Sequence, residues 1–336
     1  MILTLKFQGR GVNSGLTNSK IKKRFFTFNK NTDETAKKKI TYKQDFKMHK
    51  SLYFMIIPYA LFFFMFIIIP IIASFFLSFT SYNMFQTPRF IGLDNYINLF
   101  VDDSVFMTAV KNTFFFALLT GPLSYFLCLL IAWFINEFPK PVRVFLTLVF
   151  YAPSLSSCTY FIWKYIFSGD AYGVVNSFLI NIGFINEPIQ WLADESTNLI
   201  VLMIVQVWMS LGTSFLAFIA GFQGIDKTLY EAADVDGISN RYQELIYITF
   251  PLLKPQLLFS AIMQIVNSFS VSTISSSLCG FPSTNYSAHT VVLHIQDYGT
   301  IRYEMGYACA ISVTLFISMI LIRRLIDFVL RYIPDA

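Results

Sequence analysis

The sequence predicts an all-α, polytopic membrane protein with six transmembrane helices. The chain has 336 residues, of which 55% are hydrophobic and only 13% are charged, and its mean hydropathy is +0.57. Ordinary soluble domains carry about 25% charged residues, so this composition excludes a soluble core. Apolar runs long enough to cross about 30 Å of hydrocarbon recur along the chain, and these runs are the predicted spans.

The predicted spans follow a long polar segment. They cover residues 53–81, 106–135, 144–167, 197–221, 257–278 and 305–326. Residues 1–50 are basic and rich in Asn, Thr and Lys, which predicts a mobile or weakly helical arm. This arm either contacts anionic lipid headgroups of the bilayer or serves only as a topology anchor. The first apolar run, near Tyr53, is too long for the core of a signal peptide, so no cleavable signal is expected.

The distribution of basic residues predicts the orientation. If the N-terminus is cytoplasmic, the inner segments hold all of the 25 Lys and Arg residues except four: Arg89, Lys111, Lys164 and Arg302. Because cytoplasmic loops carry an excess of Lys and Arg, we predict a multi-pass protein of the cell membrane with both termini in the cytoplasm. The outer segments are then 82–105, 168–196 and 279–304, which are aromatic, mildly acidic and suited to docking a partner.

Cysteine and histidine do not form a recognisable site. The four cysteines are scattered, without a CxxC pair or a Cys/His cluster: Cys128, Cys158, Cys279 and Cys309. Neither a disulfide framework nor a metal site is therefore predicted. His289 and His294 lie in the last outer segment with no nucleophile or metal-ligand spacing nearby, and an ordinary loop role is predicted for both. No catalytic residue and no nucleic-acid partner is expected.

A charged segment separates the fourth and fifth predicted spans. It reads LYEAADVDGISNRYQELIYITFPLLKP, residues 229–255. Asp226 is placed to cap a helix that starts at Lys227, and Gly237 permits the left-handed turn that ends a helix. A second helix is predicted to open at Ser239, with apolar residues at 242, 245, 246 and 249 on one face. The prolines at 251 and 255 mark the return to the membrane.

The first of these two helices has the composition of a contact element. Ala232 and Ala233 allow the backbone of another protein to approach closely, and Glu231 offers a charge-assisted contact. An ordinary solvated loop helix is the alternative.

The spacing of these residues is specific. Glu231-Ala232-Ala233 is followed after three residues by Gly237 and later by Phe250-Pro251. Other short motifs are FIGLDNY (90–96), KNTFFF (111–116), WL (191–192), AGFQGI (220–225), PLLKP (251–255), CGFP (279–282) and GYACAISV (306–313). The charged segment resembles the EAA loop of permease subunits in binding-protein-dependent ABC importers. The other motifs are similar to the carbohydrate-uptake branch, such as the maltose-system inner-membrane permeases.

The resemblance covers roughly residues 85–320 and has two departures. The family often has Pro where this chain has Asp226, and often GGP where this chain has Cys279-Gly280-Phe281-Pro282. The first change still caps a helix, whereas the second leaves the shape of that outer turn open.

The resemblance implies the architecture of a type I ABC importer permease. Residues 51–105 would hold the first transmembrane helix and an outer loop, and residues 106–336 the permease core, with the EAA loop at 222–256. The implied partners are a second homologous permease subunit, two cytosolic ATPase subunits and an extracellular solute-binding protein. The ATPase-coupling residues are expected to be Tyr230, Glu231, Ala232, Ala233, Asp236 and Gly237.

No ATP site is predicted in the chain itself. GFQGIDKT (221–228) has Asp226 where a phosphate-binding loop has Gly before Lys, and no strand is predicted upstream. We therefore expect ATP and Mg to be bound by the partner subunits and no cofactor to be bound by this chain.

Polar side chains inside the spans predict a substrate path, because they are costly when they face lipid. Ser260, Gln264 and Asn267 share one helical face in the fifth span, and the fourth span carries Gln206. The predicted path residues are Gln264, Asn267, Ser268, Ser270, Trp208, Ser210 and Thr213. Contacts between helices are the alternative for each residue.

The same residues predict the class of solute. Ionisable residues are essentially absent from the span interiors, Lys164 lying near an outer end, which favours a neutral polyhydroxylated solute. The resemblance implies a carbohydrate, leaving open an oligosaccharide, a monosaccharide, a polyol or a glycerol phosphate ester. The alternative is a secondary transporter or channel without an ATPase, for which inverted repeats or midspan charges would be expected.

Overall fold

The computed structural model describes residues 50–156, 159–238 and 240–330. The predicted basic arm, Cys158 and Ser239 lie outside the described residues. The chain divides into two compact units between Pro70 and Ile71. All the contacts of the candidate site belong to the second unit.

The fold is helical almost throughout, as predicted. Two strands, β1 (Thr80–Ser81) and β2 (Arg89–Phe90), pair antiparallel in the first outer segment. The helices are α1 (Lys50–Leu77), α2 (Asp94–Ile97), α3 (Ser104–Asn136), α4 (Lys140–Leu155), α5 (Thr159–Ile166), α6 (Val174–Asn181), α7 (Asn198–Met209), α8 (Thr213–Gly224), α9 (Lys227–Val235), α10 (Arg241–Glu244), α11 (Phe250–Leu252), α12 (Lys254–Phe269), α13 (Thr273–Cys279), α14 (Val291–Gln296) and α15 (Met305–Leu330). Turns of π-helix occur at Phe64–Ile68 within α1, Asn98–Asp102, Leu245–Thr249 and Asp297–Ile301, and Thr284–Tyr286 is a 3-10 turn.

The observed spans match the six predicted spans to within a few residues. In the described part of the chain, five helical segments are long and apolar enough to cross a membrane: Lys50–Leu77, Ser104–Asn136, Asn198–Gly224, Lys254–Cys279 and Met305–Ile326. The third of these segments combines α7 with α8, and the fourth combines α12 with α13. The third predicted span is the pair α4 and α5, whose axes are bent by 84°, and it completes six if the pair counts as one span. The chain is therefore a multi-pass membrane protein.

Helix α3 is the central element of the described bundle. Asp103 caps it, because the Asp103 side chain accepts a hydrogen bond of 2.8 Å from the amide of Phe106. Its buried face carries many small residues, among them Ala109, Thr120 and Ala132. Small side chains let neighbouring helices approach closely in a membrane, and α3 packs against both α8 and α12.

The core between these three helices is tightly packed. It contains Phe215 and Phe218 of α8, Leu257 of α12 and the intervening Leu253, all nearly or fully inaccessible to solvent. Gly221 of α8 is required at this contact, since a Cβ there would come within 2.6 Å of the Leu253 side chain. This packing holds α8 and α12 together next to the segment that links α8 to α12.

Candidate functional site

A pocket of about 320 Å³ lies where three spans are broken. Helix α4 stops at Leu155, α7 gives way to α8 between Met209 and Thr213, and α12 gives way to α13 between Phe269 and Thr273. The pocket is lined by Tyr151, Ser154, Tyr160, Gln206, Met209, Ser210, Gly212, Thr213, Asn267, Ser270 and Ile274. In a membrane protein non-helical backbone is tolerated where it is buried or lines a cavity, and broken helices often carry the binding site of a transporter.

Local hydrogen bonds satisfy the backbone at the breaks that follow α7 and α12. The Ser210 hydroxyl donates to the carbonyl of Val207 at 2.6 Å, and the Gly212 amide donates to the carbonyl of Ser210 at 2.7 Å. At the end of α12 the Ser270 amide donates to the carbonyl of Val266 at 3.0 Å. The breaks after α7 and α12 are thus ordered features of the fold.

The pocket presents polar groups that are left unpaired. The amides of Asn267 and Gln206 and the hydroxyls of Thr213 and Tyr160 make no side-chain hydrogen bond with any residue that the structure describes. Asn267 is half-buried and Gln206 is 9% exposed. None of the described lining residues is charged. Such a surface can exchange hydrogen bonds with the hydroxyl groups of a neutral solute.

Four of the predicted path residues, Asn267, Ser270, Ser210 and Thr213, are brought together in this pocket. The structure places the other three elsewhere. Gln264 and Ser268 are each 2% exposed and lie between helices: the Gln264 Nε2 donates to the Cys128 Sγ at 3.4 Å. Ser268 faces Gly121, where an added Cβ would lie 3.3 Å from the Ser268 Oγ. Trp208 is 39% exposed and packs edge-on against Trp163 at 5.2 Å.

The third span also contributes to the pocket, which was not predicted from the sequence. Tyr151, Ser154 and Tyr160 reach the pocket from the two sides of the α4–α5 break. The available signal was Pro153, because a proline late in a helix removes a backbone donor and favours an end or a kink there. The interruptions after α7 and α12 carry no proline, only short Ser- and Gly-containing turns.

The predicted surface helix is present as α9. The Asp226 side chain accepts from the Thr228 amide at 3.1 Å, which confirms its predicted role as the cap. Gly237 has φ +93°, as expected for a left-handed turn, and the Ile238 amide donates to the carbonyl of Ala233 at 3.0 Å. The left-handed turn and this hydrogen bond end α9 at Val235.

Helix α9 has two different faces. Its inner face carries half-buried Tyr230 and Ala233, which is 7% exposed. Its outer face carries Val235, which is 88% exposed, and exposed Ala232. Leu229, 44% exposed, lies at one edge of this face, and exposed Glu231 lies at the other edge, where it lines the cavity beside the inner face. The predicted coupling residues are therefore divided between the two faces, with Glu231, Ala232, Asp236 and Gly237 exposed and Tyr230 and Ala233 turned inward.

The second helix of the charged segment differs from its prediction. It begins at Arg241 with Asn240 as the cap, whose side chain accepts from the Tyr242 amide at 3.1 Å. Ser239, the predicted start, lies outside the described residues. The predicted apolar face is not one buried face: Thr249 is buried, but Tyr242 and Ile246 are 66% and 55% exposed. A turn of π-helix at Leu245–Thr249 shifts the register, because it holds more residues per turn than an α-helix.

A cavity of about 920 Å³ lies beside the inner face of α9. Its walls carry residues from α9, from the end of α3 and from α10, among them Tyr230, Glu137 and Arg241. Arg241 pairs with Glu244 at 3.0 Å and with Glu137 at 3.4 Å, which joins α10 to the α3–α4 turn. The hydrogen bond to Glu244 and the charge of Glu137 raise the pKa of Arg241 further.

A buried polar network joins the last outer segment to the start of α3. The His294 Nε2 lies 2.9 Å from the Asp103 Oδ2, which also accepts from the Tyr307 hydroxyl at 2.8 Å. The His289 Nε2 lies 3.1 Å from the His294 Nδ1. Both imidazoles are only 1% exposed, and this burial was not predicted from the sequence.

The protonation of this network follows from its hydrogen bonds. Burial lowers the pKa of His289 to about 4 and also lowers the pKa of His294, so both rings are neutral at pH 7. Burial alone would raise the pKa of Asp103, but hydrogen bonds from the Phe106 amide, Tyr307 and His294 lower it. His294 therefore donates to Asp103 and accepts from His289. The remaining His289 Nδ1 has no partner among the described residues.

Comparison with known proteins identifies the family. The chain is 35% identical over 280 residues to the probable ABC transporter permease protein YesP of Bacillus subtilis (strain 168), covering 82% of this chain and 88% of that protein. The chain belongs to the ABC transporter permeases. No family model matches the sequence.

Two other similarities agree with this assignment. The permease is 31% identical to the arabinooligosaccharides transport system permease protein AraP of the same organism, over 79% of this chain and 83% of that one. Its fold is similar to a chain of a bacterial ABC transporter involved in the import of the acidic polysaccharide alginate. The TM-score is 0.66 and the identity 24%, over 87% of this permease and 99% of that chain.

Proposed function

We propose that this permease is one half of the membrane pore of an ATP-driven importer for a neutral carbohydrate. The observation that carries the proposal is the uncharged pocket at the three helix breaks, where the amides of Asn267 and Gln206 have no partner among the described residues. Amide and hydroxyl groups pair with sugar hydroxyls, and Tyr151 and Tyr160 can pack against the apolar face of a sugar ring.

The comparisons support a carbohydrate as the solute. AraP is named for arabinooligosaccharides and the solved transporter for alginate, an acidic polysaccharide. An acidic solute would be held best by Lys or Arg side chains, which are absent from the described lining of this pocket. We therefore favour a neutral oligosaccharide over a uronate polymer or a phosphate ester.

The proposed energy source is ATP hydrolysed by partner subunits. Helix α9 would dock through its outer face, where Val235 is exposed and Glu231 is accessible at the edge, onto one of two cytosolic ATPase subunits that bind ATP and Mg. A second, homologous permease would complete the pore, and an extracellular solute-binding protein would deliver the sugar to the outer loops. Both termini and α9 would then be cytoplasmic, which agrees with the positions of the basic residues.

Purification of the tagged full-length chain from its native membrane tests this assembly. We expect an ATPase subunit and a second permease to co-purify in stable proportion. Glu187→Lys, a charge reversal in an outer segment, tests whether net charge alone affects the assembly. This variant should co-purify the same partners in the same proportion as the wild-type chain, because Glu187 is exposed and remote in sequence from α9. Purification of the chain without any ATPase subunit would favour the secondary transporter or channel and contradict the proposal.

A further inference from the structure

One side-chain hydrogen bond joins the surface helix to the span that leads to the pocket. The Tyr230 hydroxyl of α9 and the Thr249 Oγ1 lie 2.9 Å apart, and either can donate. Thr249 is 3% exposed and closes the π-helical turn Leu245–Thr249. Within the described chain, no other side-chain hydrogen bond connects the body of α9 to another helix.

The backbone continues from this bond towards the pocket without a flexible segment. The Leu253 amide donates to the carbonyl of Thr249 at 2.8 Å, and the Leu257 amide donates to the carbonyl of Leu253 at 2.9 Å. From there α12 runs to Phe269, a helix about 24 Å long. Asn267, in its last turn, lines the pocket.

Tight packing prevents this connection from slipping sideways. Leu253 is completely buried, and it lies so close to Gly221 of α8 that a Cβ on Gly221 would approach the Leu253 Cδ2 within 2.6 Å. Close-packed elements move as units and do not deform continuously. A displacement applied at Thr249 is therefore transmitted along α12, with α8 moving alongside.

The rest of α9 is attached only weakly. Ala233 is its one buried residue, and a methyl group offers little resistance to sliding. Leu229 and Val235 are exposed. Of the acidic residues of α9 that line the cavity, Glu231 pairs with no described residue, and Asp234 attracts Arg241 without forming an ion pair. The Tyr230–Thr249 bond is thus the directional contact between the two parts.

We propose that Tyr230 and Thr249 form the mechanical link through which a displacement of α9 reaches α12 and the pocket. Both are positioning residues: neither touches the solute, and Tyr230 acts from the inner face while the outer face meets the ATPase. This inference rests on the proposed function, because it needs a partner that moves α9. Beyond the proposed function, the amount of sugar imported for each ATP hydrolysed would depend on two hydroxyl groups of this chain, those of Tyr230 and Thr249.

The test measures the coupling ratio, the moles of sugar imported for each mole of ATP hydrolysed, in proteoliposomes that hold the complete transporter and its binding protein. Tyr230→Phe and Thr249→Val each remove one hydroxyl with little change in shape. A net hydrogen bond corresponds to a factor of about two to ten in an equilibrium, so we expect each variant to lower the coupling ratio by about that factor. The double variant should be no worse than the more severe single variant, since one bond is lost in all three.

Two control variants show whether a lower coupling ratio comes from the loss of the Tyr230–Thr249 hydrogen bond or from substitution in this region in general. Thr249→Ser keeps a hydroxyl and should retain the coupling ratio. Tyr242→Phe removes the hydroxyl of a nearby tyrosine that is 66% exposed and should also leave the ratio unchanged.

The possible outcomes distinguish the link from the proposed function. Coupling ratios unchanged in both single variants, additive losses in the double variant, or a loss of assembled complex without a change in the ratio would each overturn the link while wild-type uptake stands. A wild-type transporter that imports no sugar with ATP overturns the proposed function, and the link with it.

Discussion

Asn267 and Gln264 lie three residues apart on one helix, yet the structure gives them different surroundings. Gln264 is 2% exposed and donates to the Cys128 Sγ between α12 and α3. Asn267 instead faces the pocket, and its amide has no hydrogen-bond partner among the described residues. A polar stripe on a transmembrane helix can therefore combine residues that hold helices together with residues that meet a solute.

The contrast between these two residues predicts opposite effects of substitution. Asn267→Ala should lower sugar uptake at least tenfold, because a lost solute hydrogen bond in a desolvated pocket is costly, while the melting temperature stays near that of wild type. Gln264→Ala should instead lower the melting temperature in detergent, since it opens a space in a packed helix contact. Uptake and thermal unfolding of the two purified variants check this, and a destabilised Asn267→Ala protein would contradict it.

Gly237 holds a backbone conformation that an L-residue resists. Its φ is +93°, although an added Cβ would meet nothing within 4 Å. Gly237→Ala should therefore destabilise the end of α9 by about 1 kcal/mol through backbone strain alone. We expect about fivefold faster amide hydrogen exchange in residues 227–238.

Gly224→Ala is the matched control for this experiment. Gly224 also has open space around its Cβ position, but it lacks a positive φ, so exchange in α9 should stay as in wild type. Equal exchange in all three proteins would show that the left-handed turn does not stabilise α9.

At the scale of elements, α9 presents one face to its own chain and one to the exterior. Glu231 is exposed at the edge of the outer face, where it borders the cavity, and no described residue pairs with its carboxylate. A partner in contact with this face would therefore meet an unpaired negative charge, which is the basis of the proposed ATPase contact.

Reversal of that charge should uncouple the transporter. We expect Glu231→Lys to abolish transport-coupled ATP hydrolysis while part of the assembly remains, since like-charge contact weakens the interface. Glu187→Lys makes the same change in an outer segment and should leave the proportion of co-purified ATPase subunit unchanged. Normal sugar uptake by the Glu231→Lys transporter would contradict the proposed role of Glu231 in coupling.

The outer network predicts a pH dependence. Burial holds the pKa of His289 at about 4, against about 6.5 in the unfolded chain. The contribution of neutral His289 to the free energy of unfolding is therefore fully present above about pH 6.5. It is lost as the pH is lowered towards 4, by at most about 1.4 kcal/mol per pH unit. Asp103 and His294, whose pKa values are also lowered, change stability in the same direction, and Asp297 and Arg302 are the other charged groups nearby.

His289→Gln tests this origin. Glutamine keeps a donor for the His294 Nδ1 but has no titrating group, so the melting temperature should fall less between pH 7 and pH 5 than in wild type. The same slope in both proteins would assign the pH dependence to other groups.

The sequence predicted elements with strong local signals and missed those set by packing. Spans could be placed from hydropathy, and α9 could be bounded by Asp226 and Gly237, because an N-cap and a left-handed turn are local chemistry. The break of the third span and the burial of His289 and His294 could not be placed, since both depend on contacts between segments far apart in the chain. Asn112 of α3 illustrates this: its amide donates to the carbonyls of Tyr286, Ser287 and His289, at least 174 residues away.

At the scale of the whole molecule, the permease combines an uncharged pocket with a surface helix that is the proposed contact of the ATPase. The pocket lies at the ends of α7 and α12, and the surface helix connects to α12 through Thr249. Neither part accounts for transport alone. Together they predict movement of α12 past a bound sugar whenever α9 is displaced, a rigid-body switch between two states.

The most direct test of this account is sugar uptake by proteoliposomes that contain the complete transporter, its binding protein and a neutral oligosaccharide outside. The account predicts uptake that starts when ATP and Mg are supplied to the α9 side and that is strongly reduced by Asn267→Ala. Uptake driven by a proton gradient without ATP, or import of a uronate oligomer in preference to a neutral one, would contradict it.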